Sequence, residues 1–472
     1  MKRVYPLLSL FFFMILFCFA YFHTWEVDEA WTYLSVKNES FSAILAYAHF
    51  NIANNHLLNS FWFKVMQLAS AHNVIFFRLA SLVSFLFYSY FLYRIVTYKT
   101  TFWSSVSDWW LVFFFLPPIM VYFTLGRGYG LATTAFLGAL YYMKVWLDEK
   151  HEPDYWKFFF LACLSSLSIV SFLFPFLAML IYIAVRTADP LFSKRNMITA
   201  ILLLPLIGYI YYVGKVILLH DKIINGTDHL FINGMYATFA GALSIYDFCF
   251  PFPDLVTRFW LVPISKALVI LTFLPVAWII VRKRQARAYM ELSILLFFTV
   301  LLFITHLILK AKYPSDRSII YVLYLLYIPV ISYIVRYRDK YFKLHYFTIL
   351  LFSIINFCSY FYSLSRPELY ATLAKEPART YAIISDWPNQ GDQVYSDLYF
   401  DGRLHFSYIA KSFETDWTQV DQKIKTILRD HSADFLLLQR SSWLRDQSLL
   451  AAWPAQKLFS SSYKELYLIR LR

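Results

Sequence analysis

Two adjacent carboxylates, Asp28 and Glu29, stand just after the first apolar run, in Glu26-Val27-Asp28-Glu29-Ala30-Trp31. Carboxylates at an apolar boundary need a partner, a metal or a substrate to offset their desolvation. The plain alternative is that they keep a loop in water. Other polar residues gather on the same expected side of the membrane. His56 lies in Asn54-Asn55-His56-Leu57-Leu58, Arg78 opens the second span, and Arg127 and Tyr129 lie in Gly126-Arg127-Gly128-Tyr129-Gly130. Lys310, Lys312 and Arg317 fall in the turn Lys310-Ala311-Lys312-Tyr313-Pro314-Ser315-Asp316-Arg317. Cations outside run against the positive-inside rule, and an anionic ligand, phosphate above all, explains such exceptions. Snorkelling to lipid headgroups is the competing explanation for each cation taken singly. His56 taken singly is a hydrogen-bonding residue before it is a metal ligand.

The elements that must position these residues are membrane spans. Of 472 residues, 59% are hydrophobic and 15% charged, against about 25% charged in soluble domains. Spans of roughly 20 residues are expected near 4–22, 74–96, 108–126, 128–147, 156–171, 172–186, 197–219, 260–281, 289–309, 317–335 and 344–363. Ser171 and Pro175 split the long apolar stretch 158–185 into two short helices. Eleven crossings place the N-terminus inside and the C-terminus outside. The basic loops agree, since Arg94 with Lys99, Arg186 with Lys194 and Arg195, Arg282 to Arg287, and Arg336 to Lys343 all fall on the expected inner side. The N-terminal run has a charged start but no small-x-small cleavage site, so it reads as an uncleaved first helix.

Two long external loops are expected, 23–73 and 220–259, the first carrying amphipathic helices at the interface. From about residue 366 the composition turns soluble. A helix is expected over 419–429 and strands over 433–439 and 463–471, giving a small external α/β domain over 366–472. The fold class is thus an α-helical polytopic membrane protein with that domain appended.

The net charge of +13 sits in short loops rather than in a stripe, so nucleic acid is excluded as a partner. Cys18, Cys163, Cys249 and Cys358 form no CxxC pair, which excludes a disulfide framework. There is no P-loop and no Rossmann glycine fingerprint.

The order of these features resembles the GT-C glycosyltransferases. The match is to the bacterial branch related to protein O-mannosyltransferases and the lipid A aminoarabinose transferase. It rests on the first helix followed by Asp28-Glu29, the external loop ending in Asn55-His56-Leu57-Leu58, Arg78, and the external Arg127-Gly128-Tyr129. It covers about residues 1–365. The family often has His-Pro-Pro-Leu where this chain has Asn55-His56-Leu57-Leu58.

The resemblance implies a GT-C fold and an inverting transfer from a polyprenyl-phosphate sugar to an acceptor hydroxyl on the outer face. Asp28 would be the catalytic carboxylate and Glu29 its support. Arg78, Arg127, Tyr129, Lys310, Lys312, Arg317 and His56 are the candidates for substrate and phosphate. A divalent metal is left open, with Asp28 and His56 as the residues to hold it. The implied partners are the polyprenyl-phosphate donor, membrane lipids, and an acceptor that is a lipid, a glycan or a protein. The implied place is the bacterial inner membrane with an external active site. The rivals are a polymerase or ligase joining lipid-linked glycans, a secondary transporter and a scaffold. Inverted repeats or broken helices at the midplane would mark a transporter, and neither is visible.

Overall fold

The computed structural model describes residues 4–22, 39–47, 56–69, 74–98, 117–187, 193–219 and 289–309. It also describes Glu29, Thr32, Tyr33, Val36, Tyr313, 320–326, 328–329 and five short strands. Ten helices are used below: α1 (Val4–Phe22), α2 (Phe41–Leu45), α3 (Leu57–Leu68), α4 (Val74–Val96), α5 (Pro117–Thr124), α6 (Tyr129–Glu149), α7 (Glu152–Ser168), α8 (Leu173–Thr187), α9 (Lys194–Leu219) and α10 (Tyr289–Leu309).

Four segments among the described residues are long and apolar enough to cross a membrane: Val74–Val96, Val170–Thr187, Lys194–Val216 and Met290–Ile308. Their outer faces carry bare apolar side chains such as Phe87, Leu204, Phe303 and Ile308. In water such surface would be costly; in hydrocarbon it is matched. The chain is therefore a largely helical integral membrane protein. The apolar helix α3, at 12 residues, rises about 18 Å and is too short to span. Its cap, His56, provides no side-chain bond, whereas the Ser40 hydroxyl caps α2 by accepting from the Ala43 N–H.

Helix α6 is the centre of the bundle, packed against α4 and α7. Its small residues explain how closely they come. A Cβ at Gly138 would lie 2.8 Å from both Leu161 Cδ1 of α7 and Phe91 Cε2 of α4. Ala132, Ala135 and Ala139 are likewise buried. Lipid gives no hydrophobic push between helices, so close packing and interhelical hydrogen bonds must hold them. Thr134 Oγ1 donates to the Ser84 carbonyl at 3.0 Å, and Ser165 Oγ to the Ala132 carbonyl at 2.7 Å.

The Glu149 end of the bundle is held by charge and aromatic faces. Arg195 lies over Trp146 and Tyr155, with its guanidinium carbon 4.6 and 5.0 Å from their centroids. The Tyr155 hydroxyl meets Thr199 Oγ1 at 2.8 Å. Lys144 forms an ion pair with Glu291, which is 1% exposed, tying α6 to α10. The long stretch after α7 breaks at Ile169, followed by a single 3-10 turn over Val170–Phe172. The expected break at Ser171 falls inside that turn, and Pro175 sits in the first turn of α8, where its missing N–H is harmless.

The chain divides into two compact units. One holds Met1–Ala20 and Glu39–Tyr362; the other holds Tyr21–Asn38 and Ser363–Arg472. In the second, β1 (Gln393–Ser396), β2 (Ser407–Ala410), β3 (Phe435–Gln439), β4 (Ala455–Ser460) and β5 (Glu465–Arg470) make one mixed sheet. Their order is β2-β1-β3-β5-β4. β1 runs parallel to β2 and β3, while β5 runs antiparallel to β3 and β4. Parallel neighbours need a crossover: residues 397–406 link β1 to its neighbour β2, and 411–434 carry the chain from β2 to β3 on the other side of β1. The helix expected over 419–429 lies outside the described residues, as do the spans expected at 260–281 and 344–363. The expected strands at 433–439 and 463–471 appear as β3 and β5.

The Lys144–Glu291 pair yields a stability prediction. Lys144→Met strands the buried Glu291 carboxylate and lowers stability by about 3–5 kcal/mol. The double variant Lys144→Met/Glu291→Leu regains most of that loss. Thermal unfolding of the full chain in one detergent reads both.

Candidate active site at the start of helix α6

The polar cluster is organised by one turn. Residues 125–128 link α5 to α6, and Gly128 caps α6 with φ +76°. That left-handed conformation is open to glycine and strained for other residues. Space makes the same demand: an added Cβ would lie 3.2 Å from His56 Cβ, 3.5 Å from Asn59 Cβ and 3.5 Å from the Ser168 carbonyl oxygen. The starts of α3 and α6 and the end of α7 therefore meet at Gly128. Next to it, Gly130 lets α5 fold back, since a Cβ there would lie 2.8 Å from Phe123 Cδ1 and 2.9 Å from the Tyr122 carbonyl.

Three of the sequence-derived candidates come together on this turn. The His56 and Tyr129 rings meet edge to face at 5.1 Å, and Tyr122 packs on Tyr129 at 5.2 Å. The Arg127 guanidinium carbon lies 5.7 Å from the Tyr129 ring centre. Arg127 is only 3% exposed, so it is not a side chain snorkelling to headgroups. Instead the fold holds a cation at the N-terminal end of α6, where the helix dipole is already positive. Two positive features at one place favour an anion there. Gly128, as the capping residue, has no side chain to accept from the first-turn N–H groups, a configuration shared with phosphate-binding helix starts.

A further member of the cluster, Asn59, was not singled out from sequence. Its Nδ2 donates to the Gly126 carbonyl, pinning α3 to the turn that carries Arg127. The signal available was a lone amide in an otherwise apolar stretch, Leu57-Leu58-Asn59-Ser60. Such a residue must find a partner when buried.

Arg78 has a different setting. It is fully buried, and Nη1 donates to the Ala20 carbonyl at 2.8 Å. Ala20 is in the last turn of α1, whose terminal carbonyls carry the negative end of the dipole. Arg78 therefore fastens α4 to the end of α1, from which the Asp28 segment continues. In the second compact unit Glu29 is fully buried. Asp28, Lys310, Lys312 and Arg317 lie outside the described residues. Tyr313, between those lysines and the arginine, stacks on His306 at 4.4 Å, which anchors that segment to the last turn of α10. Among the described residues, no three His, Cys, Asp or Glu side chains are grouped to hold a metal.

No family model matches the sequence, and no curated protein matches it. Two solved structures of ArnT from Cupriavidus metallidurans are similar to the chain. The apo form is 10% identical with a TM-score of 0.49, covering 99% of this chain and 98% of that one. The form bound to undecaprenyl phosphate is 11% identical with a TM-score of 0.48, covering 99% of this chain and 97% of that one.

Gly128→Ala tests the turn. The strained φ and the crowding by His56 and Asn59 together lower stability by about 1–3 kcal/mol. Gly214, which has open space where a Cβ would go, is the control: Gly214→Ala in α9 is neutral or gains up to about 1 kcal/mol. Thermal unfolding of the two variants side by side makes the comparison.

Proposed function

We propose that the protein is an inverting glycosyltransferase that takes a sugar from a polyprenyl-phosphate donor and passes it to an acceptor hydroxyl on the outer face of the membrane. The observation that carries the reading is Arg127, a buried guanidinium held against Tyr129 at the positive end of α6. A membrane-embedded phosphate is the anion such a place suits, because guanidinium binds phosphate in bidentate fashion and the helix start adds N–H donors. The resemblance of Asp28-Glu29, Asn55-His56-Leu57-Leu58, Arg78 and Arg127-Gly128-Tyr129 to GT-C enzymes points the same way.

The reaction needs two things of the protein. As the acceptor oxygen attacks the sugar C1, its proton must leave, and Asp28 accepts it. As the bond from C1 to the phosphate oxygen breaks, the electron pair passes to the phosphate. The growing charge is met by Arg127, with Lys310, Lys312 and Arg317 as further cations. One displacement on the face opposite the leaving group inverts the anomeric centre. Tyr129 and His56 hold Arg127 and the donor phosphate in register, and Glu29 supports Asp28. Arg78 acts through α1, by fixing the end of that helix.

The test is transfer from a panel of radiolabelled polyprenyl-phosphate sugars in membranes holding equal amounts of each variant. Asp28→Asn lowers transfer at least about a hundredfold, as loss of a base acting in the transition state should. Arg127→Gln lowers it by about a hundredfold or more. Wild-type transfer by Asp28→Asn removes that carboxylate from the mechanism, and no transfer by the wild type from any donor discards the transferase reading.

A further inference from the structure

A second amphiphile-shaped feature lies on another face of the bundle. A groove of about 470 Å³ opens between α4, α6 and α7. On α4 it runs from Ala80 to Phe91, and on α6 from Leu131 to Tyr142. Eleven residues of helix rise about 16 Å, which is close to one leaflet of a hydrocarbon core about 30 Å thick. Its floor is dry. The only hydroxyl-bearing floor residues besides Tyr142 are Ser84 and Thr134, and Thr134 Oγ1 donates to the Ser84 carbonyl while Ser84 Oγ donates to the Ser81 carbonyl. A ligand there finds hydrocarbon surface and nothing to hydrogen-bond. Its lips are bare apolar side chains, Val83, Phe87 and Phe160.

One end is different. Lys157 lines the groove at the Tyr142 end, the end of α6 away from Arg127. Its side chain is 51% exposed and its ammonium lies 2.8 Å from Asp154 Oδ1 and 4.9 Å from the Tyr142 ring centre. An apolar slot one leaflet long with a cation and a carboxylate at its mouth matches a single lipid standing upright. Charge selects which lipid. The exposed acids Asp148, Glu149 and Glu152 outnumber Lys150 at the α6–α7 connection, and Asp154 flanks Lys157, so a head that carries its own cation is favoured over a purely anionic one. In a zwitterionic head the phosphate accepts from Lys157 and the ammonium faces the carboxylates.

We propose that this groove binds one acyl chain of a phosphatidylethanolamine-type phospholipid, with the phosphate on Lys157. The proposal requires only that these helices cross the membrane and stands apart from the transferase reading.

The experiment reconstitutes the full chain into bilayers of mixed phosphatidylethanolamine and phosphatidylglycerol, each in turn carrying a diazirine in its acyl chain, and maps the crosslinks by peptide mass spectrometry. The phosphatidylethanolamine probe labels α4, α6 and α7 at the groove in preference to the lipid-facing positions Phe303 and Ile308 of α10, and more strongly than the phosphatidylglycerol probe does. Val83→Trp at the exposed lip and Lys157→Gln at the mouth each lower that labelling by about threefold or more. Equal labelling of groove and α10 overturns the proposal in the wild type alone, whatever the variants do. Stronger labelling by phosphatidylglycerol, or undiminished labelling in correctly folded Lys157→Gln, also overturns it.

Discussion

The left-handed turn at Gly128 is the constraint on which the polar end of the bundle depends. It lets the chain reverse between α5 and α6 while the starts of α3 and α6 and the end of α7 come within van der Waals reach. Arg127 can be buried over Tyr129 only because the turn points it inward and because Asn59 holds the preceding carbonyl at Gly126. The backbone geometry and the placement of charge are thus one problem with one solution. Replacing the turn with an ordinary loop would separate His56, Arg127 and Tyr129 without changing any of those side chains.

Below that turn the bundle relies on small residues rather than large ones. Between lipid-facing helices the hydrophobic effect offers little preference for helix over lipid. Gly138, Ala135 and Ala139 compensate by letting α4 and α7 come close enough for dispersion and for the Thr134 and Ser165 hydrogen bonds. The same three helices line the groove on the flank of this tightly packed centre.

Much of the helical fold was legible in the sequence, because α4, α8, α9 and α10 announce themselves as long apolar runs. The break near Ser171 was legible from Ser and Pro in an overlong stretch, and β3 and β5 stand where strands are expected at 433–439 and 463–471. The site was legible only in part. His56, Arg127 and Tyr129 could be nominated by type and expected side, and the fold brings them to one turn. Asn59 was not nominated, because its partner is a backbone carbonyl 67 residues away. Lys144 and Glu291 are 147 residues apart, and only the packing of α6 on α10 reveals that they neutralise each other. The bond from Arg78 to the end of α1 is not legible in the sequence, since a ligand phosphate and a helix terminus both present oxygen to a guanidinium.

The two ends of α6 show how one helix dipole can be used in opposite ways. At its start, the buried Arg127 stands by Tyr129 at the positive end of the dipole, against its sign. At its far end Lys150 sits over Trp146 in the left-handed cap position, where positive charge agrees with the dipole and needs no ligand. Nearby Lys144 is neutralised by Glu291 and Arg195 is spread over two aromatic faces. Lys144 and Arg195 at that end therefore serve cohesion. The two ends of α6 thus differ: positive charge opposes the dipole at the Arg127 end and agrees with it at the Lys150 end.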